Sequence, residues 1–316
     1  MKTQFSLNWT CGLAMMLTLA SLSGCGITSH AVVPSTLGKV SSSTEMESML
    51  AQPGPVELTA INSVNWTVPL SGMVNLNNPI AQQAQLKDRD EPIHVYVHVL
   101  KHPKYGNFLV DTGVAQQLID DPDKAGVSWI VAKVMHLEKM KLQTSTDDVL
   151  RTMPGQLSGV FFTHLHIDHI SGMPAIPNDV PLYIGKSETT GKNWINMFVF
   201  SSTNNLLAHK QNLQEWNFEP DPQHQFDAVV DVFGDGSVFA ISVPGHTPGS
   251  VAYLVRSTKG PVLLTGDTSH TRWGWDHGVE PGDFTNEQAE NLVNLMRLKA
   301  LVARHPEIVV RLGHQD

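Results

Sequence analysis

The most informative stretch of the chain is residues 159–169, GVFFTHLHIDH. Its first five residues form a short apolar run, which is typical of a strand buried on both faces. His164 and His166 follow, and because one residue separates them they can point the same way from extended chain. Asp168 and His169 turn back as the chain bends. Four side chains that can bind a metal therefore converge within six residues.

Imidazole and carboxylate groups suit zinc and other divalent transition metals as ligands. The cluster alone is not diagnostic, because a histidine-rich surface patch would have the same composition. Three further donors stand at turns after apolar runs: His246 within PGHTPG, Asp267 after LLTG, and His314 after LG. Each of these runs predicts a strand, so each donor is expected at a strand end.

Strands and helices alternate only loosely around these donors. Residues 94–100 and 107–110 predict a hairpin that closes on the turn at 111–113. Residues 286–304 repeat apolar side chains with the spacing of an amphipathic helix, and residues 307–312 predict a terminal strand. This pattern favours an α/β sandwich, with helices outside two mixed sheets, over a regular barrel.

In order and local sequence, the donors resemble the signature of the metallo-β-lactamase superfamily of hydrolases, from about His94 to the end of the chain. The resemblance implies an αβ/βα sandwich and two divalent metal ions, with Zn²⁺ the expected element. It places His164, His166 and His246 on the first metal. It places Asp168, His169 and His314 on the second metal, with Asp267 bridging the two.

The same resemblance implies a hydrolytic reaction and no organic cofactor. Two metals can share a hydroxide that serves as the nucleophile at neutral pH, and they polarise the attacked carbonyl or phosphoryl oxygen. Asp168 could then pass a proton to the leaving group. Asp111 falls on an Asp-Thr-Gly turn that supports the site from behind in this superfamily, although an ordinary turn former is an equal interpretation.

Within the superfamily, the sequence looks most like the acyl-homoserine lactonases. An aspartate at the bridging position distinguishes it from the common zinc β-lactamases, which have a cysteine there. The turn at 111–113, the GHTPGS wording around His246 and the Gly-His close to the carboxyl end all support this subclass. One position departs from it: His270 stands where those lactonases usually carry a tyrosine that steadies the substrate carbonyl. His270 and Asp168 are therefore the catalytic candidates, and either His270 donates the same hydrogen bond or the substrate differs.

Other functions remain open at this point. A thioesterase, phosphodiesterase or β-lactam hydrolase of the same superfamily would use the same ligands. A lipoprotein that binds metal or ligand without catalysis is the alternative of a different class, since fold resemblance does not establish activity. That all seven ligand positions are filled favours an enzyme.

The amino terminus predicts export. Lys2 precedes an apolar stretch, Cys11 to Leu22, that is too short to span a bilayer. It ends in Leu-Ser-Gly before Cys25, which resembles the bacterial lipobox, so residues 1–24 are expected to be a lipoprotein signal peptide and Cys25 a lipidated membrane anchor facing the periplasm. An ordinary secretory signal is the alternative.

Residues 25–55 are rich in Ser, Thr, Pro and Gly, and they predict a flexible tether ahead of a hydrolase domain at 56–316.

Charge argues against a nucleic-acid partner. The formal net charge is −9, and residues 1–24 carry only Lys2, so their removal would leave −10. A small-molecule substrate fits better.

The aromatic-rich stretch from Lys186 to Glu219 has two interpretations. It forms a lid over an acyl chain, or its aromatic side chains pack in the core.

Overall fold

The computed structural model describes residues 26–192 and 194–316. The expected signal peptide and the anchor Cys25 lie outside the described residues. The strands are β1 (Val32–Pro34), β2 (Lys39–Ser41), β3 (Glu57–Pro69), β4 (Asp90–His102), β5 (Gly106–Val110), β6 (Lys141–Leu142), β7 (Leu157–Phe161), β8 (Leu182–Ile184), β9 (Leu213–Glu215), β10 (Val229–Asp231), β11 (Val238–Ser242), β12 (Val251–Ser257), β13 (Gly260–Leu264) and β14 (Val309–Arg311).

The helices lie between and after these strands. They are α1 (Ser43–Ser48), α2 (Leu70–Met73), α3 (Pro79–Gln83), α4 (Gln116–Asp120), α5 (Trp129–Val134), α6 (Thr146–Thr152), α7 (Ile167–Ile170), α8 (Trp194–Leu206), α9 (Arg272–His277) and α10 (Gln288–Arg304). Short 3₁₀ turns add Leu137–Lys139, Met173–Ala175, Glu188–Thr190 and Gly266–Thr268. None of the helices in the described part of the chain is both long and apolar enough to cross a bilayer.

The strands form two mixed sheets. The first has the order β1-β9-β8-β7-β5-β4-β3-β6, and the second has the order β14-β13-β12-β11-β10-β2. In the first sheet β1, β9, β8, β7 and β5 are parallel neighbours, whereas β3 and β4 pair antiparallel. In the second sheet β13 pairs parallel with β14 and antiparallel with β12. The predicted α/β sandwich of two mixed sheets is confirmed.

Apolar side chains fill three layers. Phe161 of β7 and Tyr253 of β12 stack between the two sheets, with ring centroids 5.8 Å apart. A second cluster lies between the first sheet and its helices, and a third lies between the second sheet and α10. Each fully buried apolar side chain of this size contributes about 1.5–3 kcal/mol. The helices therefore cover the outer faces of the sandwich, as expected.

The predicted hairpin and carboxyl-terminal elements are present. The hairpin is β4 and β5, and the helix and strand expected at 286–304 and 307–312 are α10 and β14. Along α10, Leu295 and Leu298 are buried, as their spacing predicts. Met296 belongs to the same apolar repeat, and it is instead 48% exposed.

Residues 25–55 were expected to form a flexible tether, and the described part of that segment is instead folded onto the domain. β1 pairs with β9 at the edge of the first sheet, and β2 pairs with β10 at the edge of the second. Ile27 and Met46 are fully buried. Backbone hydrogen bonds to β9 and β10 and the burial of a few apolar side chains stabilise the folded segment, although most of its residues are polar. A capping box between Ser42 and Glu45, which starts α1, is the local signal for this order.

Candidate metal centre

The seven predicted ligands meet at one end of the sandwich because each follows a strand at that end. His164 to His169 follow β7, and His166 caps the first turn of α7. His246 lies in the loop between β11 and β12, and Asp267 lies just after β13. His314 follows β14, whose parallel pairing with β13 brings it beside Asp267.

The side chains form groups with the spacing of metal ligands. His164, His166 and His246 form one group, and Asp168, His169, Asp267 and His314 form another. Within each group the candidate ligand atoms all lie within 4.8 Å of one another. The structure therefore brings together every residue of the two predicted ligand sets, with Asp267 in the second group.

Asp267 stands at the centre of the site. Its Oδ2 lies 3.2 Å from Nε2 of His169 and 3.2 Å from Nε2 of His314. The same oxygen lies 3.6 Å from Nε2 of His164 and 3.5 Å from Nε2 of His246. One carboxylate oxygen thus faces histidines of both groups, which is the position that a bridging ligand requires.

Gly313 makes this arrangement possible. A Cβ atom at that position would lie 2.1 Å from Oδ1 of Asp267, closer than any real contact. Any side chain at residue 313 would therefore displace the central carboxylate.

Hydrogen bonds behind the site hold the histidine rings in place. Asp111 accepts a hydrogen bond from the Thr163 backbone N–H at 2.8 Å, and its Oδ2 lies 2.8 Å from Nδ1 of His169. Nδ1 of His314 lies 2.8 Å from the backbone oxygen of His94. Partners of this kind orient the ring of a ligating histidine. Asp111 therefore contacts the site from behind, as the family resemblance implied, and its left-handed backbone (φ +55°) aims it there.

Burial and charge divide the histidines into two kinds. Burial and the neighbouring rings hold the pKa of His164 and of His246 well below the ordinary value, and burial lowers the pKa of His166 to about 4. For His169 and His314, burial acts in the same direction, but the neighbouring carboxylates, Asp267 foremost, together outweigh burial, so the pKa of each is raised. The first three rings are thus neutral at pH 7, which is the form that binds a cation.

The pKa of the central carboxylate is lowered, whereas the pKa values of His169 and His314 are raised. Burial raises the pKa of Asp267, but the surrounding histidines, His314 and His169 foremost, together outweigh burial and hold that pKa well below its usual range. Asp267 is therefore ionised at neutral pH and supplies the negative charge that a pair of cations needs at the centre.

The donor set fits divalent metal ions. Nε2 of His164 and Nε2 of His270 both face Oδ2 of Asp267 and are buried without a hydrogen-bond partner among the described residues. Buried polar atoms are normally satisfied, so two unpartnered nitrogens that face the same carboxylate call for a cation. Nitrogen and carboxylate oxygen together are a zinc-like ligand set.

A cavity of about 330 Å³ opens onto the donors. Its polar end is formed by His166, Asp168, His246, Asp267, His270 and His314, and its walls include Trp66, Val68, Met73, Ile93, Phe198 and Phe284. Asp168 and His270, the two catalytic candidates, both line it. The stretch from Lys186 to Glu219 supplies Phe198 of α8 to the wall and Leu213 to the core, so it contributes to both.

Glu188 is a site residue that the sequence did not reveal. Its side chain is 1% exposed and lies between the two loops that carry His164, His166 and His246. It accepts hydrogen bonds from the Leu165 N–H at 2.7 Å, the Thr247 hydroxyl at 2.6 Å and the Gly249 N–H at 3.1 Å. Burial raises its pKa to about 7, while these donors oppose the shift. No motif marks a lone glutamate after a strand, so only the structure finds it.

Glu188→Gln should destabilise the protein by about 1–3 kcal/mol. The three donors around Glu188 face both carboxylate oxygens, whereas an amide has only one acceptor oxygen, so at least one buried donor loses its partner. Metal retention should fall with it, since the two loops are no longer joined. Urea unfolding and metal analysis of the same preparation measure both effects. Glu215→Gln is the control, because Glu215 accepts one hydrogen bond from the Ser187 N–H in a partly exposed place. Equal stability of the two variants would contradict the joining role of Glu188.

Known proteins resemble this chain in sequence and in fold. The family model of the metallo-beta-lactamase superfamily matches residues 90–314. The N-acyl homoserine lactonase AttM of Azorhizobium caulinodans is 28% identical over 233 residues, covering 71% of this chain and 83% of the relative. A crystal structure of a quorum-quenching N-acyl homoserine lactone lactonase superposes with a TM-score of 0.58 at 19% identity, covering 84% of this chain and 93% of the other.

A further solved structure is that of AidC, described as a dizinc quorum-quenching lactonase in complex with a product. It superposes with a TM-score of 0.52 at 14% identity and covers 89% of this chain and 92% of its own. The family model spans every predicted ligand from His164 to His314 and more than half of the chain. The protein belongs to the metallo-beta-lactamase superfamily.

Proposed function

We propose that the protein is a dinuclear metal-dependent hydrolase that opens N-acyl homoserine lactones. The observation that carries this proposal is a buried carboxylate, Asp267, that faces both histidine groups at the polar end of a mainly apolar cavity. The similarity to curated lactonases supports the choice of a lactone over the other ester-like substrates of the superfamily.

In this proposal His164, His166 and His246 would hold one metal, Asp168, His169 and His314 would hold the other, and Asp267 would contribute to both. Two divalent ions held in this way would supply an activated water at neutral pH and would polarise the substrate carbonyl. The protein's own part is to hold seven donors in position and to shape the cavity around them.

The cavity explains why an acylated ring would bind. The apolar walls formed by Trp66, Ile93 and Phe198 suit an acyl chain, and the polar end suits a lactone ring. Each methylene buried there contributes about 0.8 kcal/mol, or roughly fourfold in binding. Affinity should therefore rise with chain length until the cavity is filled.

Asp168 and His270 are the side chains placed to act on the substrate. Oδ2 of Asp168 lies 3.4 Å from Nε2 of His314, and the Asp168 side chain is 14% exposed toward the cavity. It can carry a proton to the alkoxide that leaves when the ring opens. His270, with unpartnered ring nitrogens among the described residues, faces the same space.

A substrate panel tests the function. The metal-loaded protein would be assayed with N-acyl homoserine lactones of increasing chain length, an acyl thioester, a phosphodiester and a β-lactam. The expected result is the highest kcat/KM on the lactones, rising with chain length. A higher kcat/KM on any other class would overturn the lactonase proposal, and binding of metal without any turnover would support the non-catalytic alternative.

We also propose that the protein is exported and anchored to a membrane through a lipidated Cys25. The lipobox-like Leu-Ser-Gly before Cys25 supports this. Several acyl chains hold a protein stably at a membrane, whereas one chain does so only marginally.

Cys25→Ser should move the protein from the membrane to the soluble fraction of the cell. Fractionation of cells that express the two forms measures it, and Cys11→Ser is the control because Cys11 lies within the expected signal peptide. If Cys25→Ser stays in the membrane like the parent, the anchor is elsewhere.

A further inference from the structure

His270 lies inside the metal centre although neither predicted ligand set contains it. Its side chain is 1% exposed and its ring lines the polar end of the cavity. Nε2 of His270 lies 3.1 Å from Oδ2 of Asp267, closer than Nε2 of His246 at 3.5 Å or of His164 at 3.6 Å. Together with His246 and Asp267 it forms a third group with the spacing of metal ligands.

The distance is that expected between two ligands of one ion. Zinc–nitrogen and zinc–oxygen bonds of about 2.0–2.2 Å place two ligands of a tetrahedral ion about 3.3 Å apart, and closer when a fifth ligand is present. A direct hydrogen bond does not account for the pair, since Nε2 of His270 has no hydrogen-bond partner within the described ranges. An ion between the two atoms satisfies both.

The other side of the ring distinguishes His270 from three of the predicted ligands, His169, His246 and His314. Nδ1 of His169 faces Asp111, Nδ1 of His314 faces a backbone oxygen, and Nδ1 of His246 lies 3.2 Å from the Thr285 hydroxyl. Nδ1 of His270 has no such partner in residues 26–192 and 194–316. Without an outer hydrogen bond, a ligating ring is less firmly fixed.

We propose that His270 is an additional metal ligand, bound through Nε2 on the cavity side of the centre, and that a ligand entering the cavity displaces it. The proposal rests on the metal centre proposed above and does not depend on the lactone substrate. The resemblance leads one to expect a tyrosine at position 270. Imidazole is a far better metal ligand than a neutral phenol, so a histidine at this position can bind a metal ion.

Cobalt-substituted protein tests this without measuring activity. In the proton NMR spectrum of the Co²⁺-loaded protein, each coordinated imidazole gives a strongly shifted ring N–H signal that disappears in D₂O. His270→Phe should bind the same number of ions as the parent, through the seven remaining ligands, and show one such signal fewer. His277→Phe is the matched control, because His277 is exposed and stacks on Trp273 outside the predicted ligand groups; its spectrum should equal the parent's.

Each outcome decides the proposal. An unchanged set of shifted signals in His270→Phe, at equal cobalt content, would overturn it. If His270→Phe fails to fold by circular dichroism, His270→Asn takes its place, because asparagine is small and polar. Acetate, a small carboxylate that binds divalent metals directly, should also remove one shifted N–H signal when it is titrated into the parent until the spectrum stops changing, and a spectrum that keeps every signal would refute displacement.

The test separates this proposal from the proposed function. A parent protein that binds no cobalt would overturn the metal centre and the role of His270 together. A parent that binds cobalt, shows the extra signal and yet opens no lactone would overturn only the lactonase function.

Discussion

Asp267→Asn should reduce metal content below two ions per chain and lower kcat/KM for a lactone by more than about 100-fold. The physical reason is that Oδ2 of Asp267 faces histidines of both groups, so an amide weakens two sites at once. Loss of an outer partner alone typically costs 10–100-fold in metal affinity or activity, and a central ligand should cost more. Elemental analysis and kinetics on the same preparation measure both.

The control for Asp267→Asn is Asp276→Asn, which makes the same chemical change at an exposed position on α9. It should leave metal content and kcat/KM near those of the parent. Full metal occupancy in Asp267→Asn would show that Asp267 is not the bridging ligand, even if activity falls.

Asp168→Asn should slow lactone opening more than cleavage of a nitrophenyl ester, by roughly 10²-fold for lost general-acid catalysis. An alkoxide leaving group is strongly basic and needs a proton, whereas a nitrophenolate needs far less help. The position of Asp168 at the cavity end, partly exposed beside His314, allows it to reach the leaving oxygen.

Metal content has to be measured alongside the Asp168→Asn rates, because an amide is a poorer ligand and an empty second site would slow both reactions. Equal losses on the two esters at full occupancy would mean that Asp168 holds metal and does not transfer a proton.

The ligands could be predicted because each stands in a short motif at a strand end, where spacing alone limits the geometry. His164 and His166 are set by strand alternation, and His246, Asp267 and His314 by their turns. Glu188 could not be predicted, since its role depends on two loops that meet only in the folded chain. The orientation of His270 toward Asp267 likewise follows from tertiary packing and not from its neighbours in sequence.

The order of the amino-terminal segment could not be predicted from its composition. Its Ser, Thr, Pro and Gly content predicts flexibility, but the segment pairs with β9 and β10 at the edges of their sheets, and composition carries no information about that pairing. Backbone hydrogen bonding is independent of side-chain type, so a polar segment can complete a sheet as well as an apolar one.

The pairing of β1 and β2 at the two sheet edges bears on how the protein can be produced. A recombinant form that starts at residue 56, where the sequence predicts the domain to begin, would leave β9 and β10 as bare edges with unpaired N–H and C=O groups. Bare edges recruit strands from other molecules. Such a form should self-associate through intermolecular strand pairing, seen as light scattering that rises with concentration, whereas a form that starts at residue 26 keeps both edges covered within one chain.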